Sequence, residues 1–331
     1  MVSKRWVGRI LGLTVLTIGG LAAFNWTILR AHYAASRLRS ATTDEARSQQ
    51  AQALLDLGDD GFAQLVESLK GGDGPTCQTI GGVLRKNFAA QSADTTAFVQ
   101  RASALLDTVP ALGESGQEAV LQLLPELLKS SDAGVTGKCR AAVERGLQSS
   151  SRAKVFAARL CGMPQINLVS AVPPLLTDAE AEVRAAALTA LSTTGDASII
   201  SDEELFHWMN DPDANVRHIC AAVLQTRGRS ADEIDFGRRL THPQARVRLQ
   251  LLVELASESG RDIGPWLERL SRDAEPAVRA GAVRVASERK LLYTDWADNL
   301  AVSDPNPLVR QVATFHRRKA AGLLSPAGYS P

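Results

Sequence analysis

The four cysteines and five histidines have the widest chemical range in this chain, because thiolates and imidazoles ligate metals and act as nucleophiles or bases. Cys77, Cys139, Cys161 and Cys220 show no Cys-x-x-Cys spacing, and only Cys220 has a histidine close by, His218. Two residues apart on a helix, those side chains point in different directions, so a zinc site has little support. None of the histidines is followed by glutamate, which removes the His-Glu metal motifs. No P-loop, nucleophile elbow or dinucleotide fingerprint is present; Gly19-Gly20 and Gly81-Gly82 are isolated pairs in helical context. Glu203-Glu204 and Asp59-Asp60 fall where helices begin, and there carboxylates complement the helix dipole. The expectation is a chain that is not an enzyme, with no catalytic residue, cofactor or metal site.

The charged residues do carry a period. Val-Arg recurs at Val183/Arg184, Val216/Arg217, Val247/Arg248, Val278/Arg279 and Val309/Arg310, at spacings of 33, 31, 31 and 31 residues. Five residues before each valine stands Asp178, Asp211, His242, Asp273 or Asp304, and four after it Ala187, Cys220, Leu251, Ala282 or Ala313. Such regularity identifies a stacked helical array. Each unit reads as two antiparallel helices. In one of them Asp202 to Asn210 is the first helix, Asp211 closes it and caps the next, and Ala214 to Thr226 is the second. Asp211-Pro212 and Asp304-Pro305 combine a capping carboxylate with a proline suited to the first helical position, whereas His242-Pro243 lacks the acid. Val183, Ala187, Ala190 and Leu191 form one buried stripe. The arginines are expected to form a column, each reaching an aspartate of its own or an adjacent unit except where His242 stands.

The stretch from Ala171 through Pro173, Pro174 and Leu176 to Asp178, followed by Val183-Arg184 and Ala190-Leu191, resembles a HEAT repeat. The 31-residue period with its Asp-Pro and Val-Arg marks is most similar to the short HEAT-like subtype first associated with phycobilisome lyases. The resemblance covers five units over roughly residues 165–320. It implies an all-α, right-handed α-solenoid in which aspartates and arginines form an inter-repeat ladder, a structural role for Asp178, Arg184, Arg217, Arg248, Arg279 and Arg310.

Upstream the array continues without the Val-Arg mark. Asp44 to Leu57 reads as a second helix without a partner, and residues 60–71 pair with 75–89, 95–109 with 115–130, and 134–149 with 151–162. Pro125 is expected to kink or end its helix. Five clear units and three divergent ones give about eight helix pairs and one leading helix. Cys139 and Cys161 lie eleven residues either side of Ser150, in the turn between two antiparallel helices. They stand at the same height and would bridge only across a crossing closer than helices normally make, the other reading being two buried free thiols. A bridge would place the array outside the cytoplasm.

From Ile10 to Leu29 no side chain is charged, and Lys4, Arg5, Arg9 and Arg30 flank the run. At about 1.5 Å per residue it spans roughly 30 Å, one bilayer core. Trp6 and Trp26 stand near its ends, where indole rings favour the interface. A transmembrane anchor over residues 10–29 is expected; a signal peptide cut near Gly20-Leu21-Ala22 is the rival reading. Basic residues on the two sides nearly balance, so only the short leader favours an exported array. The domain reading is anchor and basic flanks over 1–40, divergent repeats over 41–162, regular repeats over 163–321 and a disordered tail over 322–331.

The chain has 331 residues, of which 45% are hydrophobic but only 5% aromatic, which suits helices packed through Ala, Val and Leu. Its net charge of +1 gives no domain-wide basic field, so nucleic acid is not expected as a partner. Arg310 with His316-Arg317-Arg318-Lys319 is the clearest basic cluster, and cations suit a helix C-terminus. The leading functional reading is a membrane-tethered, non-enzymatic scaffold that binds a protein along a concave surface of second helices. Asn215, His218, Gln225, Arg246, Arg284 and Arg318 are the candidate partner-binding residues, on a face apart from the buried stripe. The alternatives are a lyase or enzyme subunit resembling the phycobilisome lyases, and a nucleic-acid-binding HEAT array.

Overall fold

The computed structural model describes residues 26–149, 151–193, 199–257, 262–291 and 295–320. These residues are helical, with no strand among them. Helix α1 covers 26–40, and then follow α2 (Asp44–Leu55), α3 (Asp59–Gly71), α4 (Gly74–Ala89) and α5 (Thr96–Thr108). Next come α6 (Glu114–Leu121), α7 (Leu124–Leu127), α8 (Ala133–Leu147), α9 (Ser151–Cys161) and α10 (Ala181–Thr193). The chain continues as α11 (Asp202–Trp208), α12 (Ala214–Thr226), α13 (Ala231–Leu240) and α14 (Ala245–Ser257). It ends on α15 (Gly264–Leu270), α16 (Pro276–Glu288), α17 (Asp295–Ser303) and α18 (Pro307–Ala320). Two compact units divide after Asp196.

In the first unit, alternate helices stack into layers: α2 packs on α4, α4 on α6, α6 on α9 and α9 on α10, while α5 packs on α8. The pairs expected over 60–162 are present, and Pro125 ends one of them early. Helix α6 stops at Leu121 and a short α7 restarts with the proline in its first turn, where no amide donor is needed. Three corrections arise. Asp44–Leu55 has a partner, because α1 runs to Ser40 and buries Ala31, Ala34, Ala35 and Leu38. The hydroxyl of Thr27 in α1 donates to Asp60 Oδ2 at the start of α3 at 3.2 Å. Residues 30–40 are thus the first helix of the array rather than a basic flank, and each of nine successive second helices has a preceding partner among the described residues. In the layer ending on α10 that partner is not α-helical: Val169–Ala171 and Pro173–Thr177 form 3-10 turns, since Pro173 and Pro174 supply no amide for an α-helical ladder.

Of the two readings of Cys139 and Cys161, the structure has the free thiols rather than the bridge. Both thiols are free and buried on α8 and α9, and Cys161 Sγ donates to the Ala157 carbonyl within its own helix at 3.2 Å. Free thiols give no support to export. Of the expected membrane span, residues 10–25 lie outside the described residues and 26–29 open α1. No helix among the described residues is long and apolar enough to cross a membrane. The tail expected to be disordered, 322–331, also lies outside them.

In the second unit α14 packs on α16, α16 on α18, and α11 on α13. Its core joins Leu251, Leu252, Leu267, Val278, Ala282 and Val285 with the edges of Trp266 and Trp296. Two first helices begin with a capping box: Ser201 with Glu204, and Ser230 with Glu233. In each, serine accepts from the glutamate amide and glutamate accepts from the serine amide, which satisfies two otherwise orphaned donors.

Candidate interaction surface

The repeated valine and arginine have separate tasks. Val183, Val216, Val278 and Val309 are fully or almost fully buried, so the following arginine is carried to the start of the second helix beside the turn that precedes it. There all five arginines make the same bond. Nη1 donates to the two carbonyls six and five residues earlier: Arg184 to Asp178 and Ala179, Arg217 to Asp211 and Pro212, and Arg248 to His242 and Pro243. Arg279 donates likewise to Asp273 and Ala274, and Arg310 to Asp304 and Pro305. Each guanidinium is thereby fixed in one orientation.

The other edge of the guanidinium reaches forward. Arg248 Nε and Nη2 grip Asp273 at 2.6 and 2.8 Å, and Arg279 grips Asp304 through the same atoms at 2.8 and 2.8 Å. Both are bidentate forks across 25 residues, and they join consecutive layers. Asp304 is 4% exposed, and the hydrogen bonds from Arg279 hold its carboxyl below the usual carboxylate range. Asp178 is lowered too, first by the Glu180 amide and then by Lys154, whose Nζ lies 2.9 Å away. The exception expected at the His242 unit falls elsewhere: Arg248 of that unit grips Asp273, and among the described residues it is Arg217 of the unit before and Arg310 of the last that meet no carboxylate.

The aspartate's local role differs from a simple helix cap. In place of capping the helix directly, the side chain accepts from the amide two residues on: Asp178 from Glu180, Asp211 from Asp213, Asp273 from Glu275 and Asp304 from Asn306, at 2.8 to 3.0 Å. His242 substitutes Nδ1 for the carboxylate and accepts from Gln244 at 3.1 Å. The true cap of α12 is Asp213, which accepts from Asn215 and Val216, so Pro212 stands outside the helix. Asp-Pro builds the turn, which still has to be tight because the next arginine bonds back to its carbonyls.

The six candidate binding residues are all exposed: Asn215, His218 and Gln225 on α12, Arg246 on α14, Arg284 on α16 and Arg318 on α18. Arg284 lies 3.7 Å from Glu288 on its own helix. Arg318 lines an open pocket with Pro307, Arg310, Gln311, Thr314 and Phe315. The cysteines are poor nucleophiles, since burial raises Cys77 and Cys161 to about 11 and Cys139 and Cys220 to about 12. Among the described residues no three His, Cys, Asp or Glu side chains converge as metal ligands. Sequence reasoning missed Lys154, although it precedes Asp178 by 24 residues, close to the 25 of the later forks.

No protein-family model and no curated protein matches the chain. An engineered protein solved by the Northeast Structural Genomics Consortium is 17% identical, with a TM-score of 0.38 and 88% of each chain covered. UNC-45 from Drosophila melanogaster is 13% identical, with a TM-score of 0.28, over 89% of this chain and 52% of its own. The chain thus spans about half of UNC-45. The assignment as a helical repeat protein rests on its own stacked helix pairs.

Proposed function

We propose that this helical repeat protein is a non-enzymatic scaffold of the short HEAT-like subtype, tethered to a membrane through residues 10–29 and binding another protein along its second helices. The observation that carries the binding reading is the division of labour on those helices. Their periodic charges, Arg184, Arg217, Arg248, Arg279 and Arg310, are committed to turn carbonyls, and Arg248 and Arg279 also to aspartates of the next layer. Asn215, His218, Gln225, Arg246 and Arg284 stay exposed beside them at positions that vary from unit to unit. A frame made of invariant bonds with variable polar groups beside it supports recognition more than chemistry. The tether draws on the uncharged run and its basic flanks.

The test is crosslinking and co-purification of the full chain from the membrane fraction of its native cells, with Arg246→Glu and Arg284→Glu introduced together. Partner recovery is expected to fall at least tenfold while thermal unfolding is unchanged. Unchanged recovery would dismiss this surface, and a chain found wholly in the soluble fraction after carbonate extraction would dismiss the tether.

A further inference from the structure

Helix α18 carries a copy of the bond that joins the layers inside the second unit, with no carboxylate on it among the described residues. Arg310 Nη1 is fixed on the Asp304 and Pro305 carbonyls, as Arg279 Nη1 is fixed on those of Asp273 and Ala274. In Arg279 this leaves Nε and Nη2 turned to a carboxylate of the following layer. Arg310 is oriented by the same pair of bonds, is half-buried, and among the described residues meets no carboxylate. Its surroundings form an open basin of about 440 Å³ lined by Pro307, Arg310, Gln311, Thr314, Phe315 and Arg318. Arg318 is exposed at the far end, about 12 Å along the helix at 1.5 Å per residue. Between them Phe315 is 52% exposed. Residues 307–320 contain Arg310, Arg317, Arg318 and Lys319 and no acid.

We infer that this face docks an acidic segment of a partner protein. One carboxylate takes the Arg310 fork as Asp304 takes that of Arg279, a second meets Arg318, and an apolar residue between them covers Phe315. This deepens the scaffold reading and rests on it: the partner chemistry is now an acidic helix and the site is the exposed face of α18. A planar fork already oriented by its own turn loses little freedom on binding, and it selects a carboxylate over a neutral amide by geometry as well as charge. The basic run at the end of α18 also complements the helix dipole, but that role leaves the Arg310 fork unexplained.

The probe is a synthetic helical peptide with two aspartates eight residues apart and a leucine midway, titrated onto the full chain in detergent micelles and read by fluorescence anisotropy. Binding is expected to weaken at least tenfold in Arg310→Lys, which keeps the charge and a donor but loses the fork. It should weaken as much in Arg318→Gln, whose exposed position leaves folding intact, and when both peptide aspartates become asparagine. Lys86→Gln, at an exposed cation on α4, should bind as the native chain does. Equal binding by Arg310→Lys and Arg318→Gln, or none by the native chain, would overturn the inference. So would displacement of the peptide by equimolar inorganic phosphate, which would mark a small-anion site. A tenfold gain on deleting residues 321–331 would identify the chain's own tail as the occupant and overturn it as well. Loss of this binding while partner recovery still depends on Arg246 and Arg284 would remove the end-face site and leave the scaffold standing.

Discussion

The two units hold their layers together by different means. In the first, the contacts are apolar and shaped: Phe88 meets Phe62 and Phe98 edge-on, with centroids 6.3 and 5.1 Å apart, and all three rings are buried. Chain segments there approach so closely that a Cβ on Gly61 would stand 1.7 Å from the Leu54 carbonyl oxygen. In the second unit a buried ion pair recurs, with Arg248 on Asp273 and Arg279 on Asp304, and capping boxes set the first helices. Shape can be met by many residue combinations, and so helices α1 to α9 carry no fixed offset; within the first unit the Val-Arg mark enters only with α10. A bidentate fork requires arginine and aspartate at one separation, and so the second unit repeats visibly. Regularity of sequence here reports the kind of bond between layers, and both kinds build the same pairs of helices.

The sharpest separation of the two comes from removing one member of each. Phe98→Ala in the first unit should cost about 4 kcal/mol in urea unfolding, because a fully buried ring loses both its transfer energy and its neighbours' contacts. Acid should act on the Arg279–Asp304 fork and leave the aromatic cluster alone. Asp304 titrates below the ordinary carboxylate range when folded, so on acidification the unfolded chain takes up its proton first. Its contribution to stability is therefore full above about pH 5 and is lost as pH falls below about 4 through the lowered folded value. Unfolding curves from pH 6 to 3 should show this loss in the native chain and a shallower one in Asp304→Asn, while Phe98→Ala keeps the native slope. The smallest effect is a gain. His242→Asp restores the acid opposite Arg217 and should stabilise the chain by about 0.5 to 1 kcal/mol, modest because Arg217 is half-exposed. No gain in the urea midpoint would show that the histidine turn cannot carry a fork.

The helix pairs over residues 60–162 were legible from turn glycines and helical spacing, and Pro125 marked a break that occurs where proline removes a donor. The partner of α2 was not legible, because Ala31, Ala34, Ala35 and Leu38 follow directly on an uncharged run that reads as membrane-spanning. Apolar periodicity is the same signal in both environments. The role of the aspartates was legible only in part: their offset to arginine gave the ladder, but whether a side chain bonds to the amide two or three residues on depends on turn geometry that Asp211 and Asp213 share in sequence. The binding candidates were found as the positions left over by the stripe. Arg310 was assigned to the frame, and its open side appears only when its orientation is compared with that of Arg279.

The central claim is that the periodic charges form a frame of coupled pairs and leave recognition to their neighbours. A double-mutant cycle on Arg279→Gln and Asp304→Asn, measured by urea unfolding of the full chain, tests it most directly. The account predicts that each single substitution destabilises by about 3 kcal/mol and that the double variant loses no more than either alone, a coupling of at least about 2 kcal/mol. Additive losses with coupling near zero, or single variants as stable as the native chain, would contradict it.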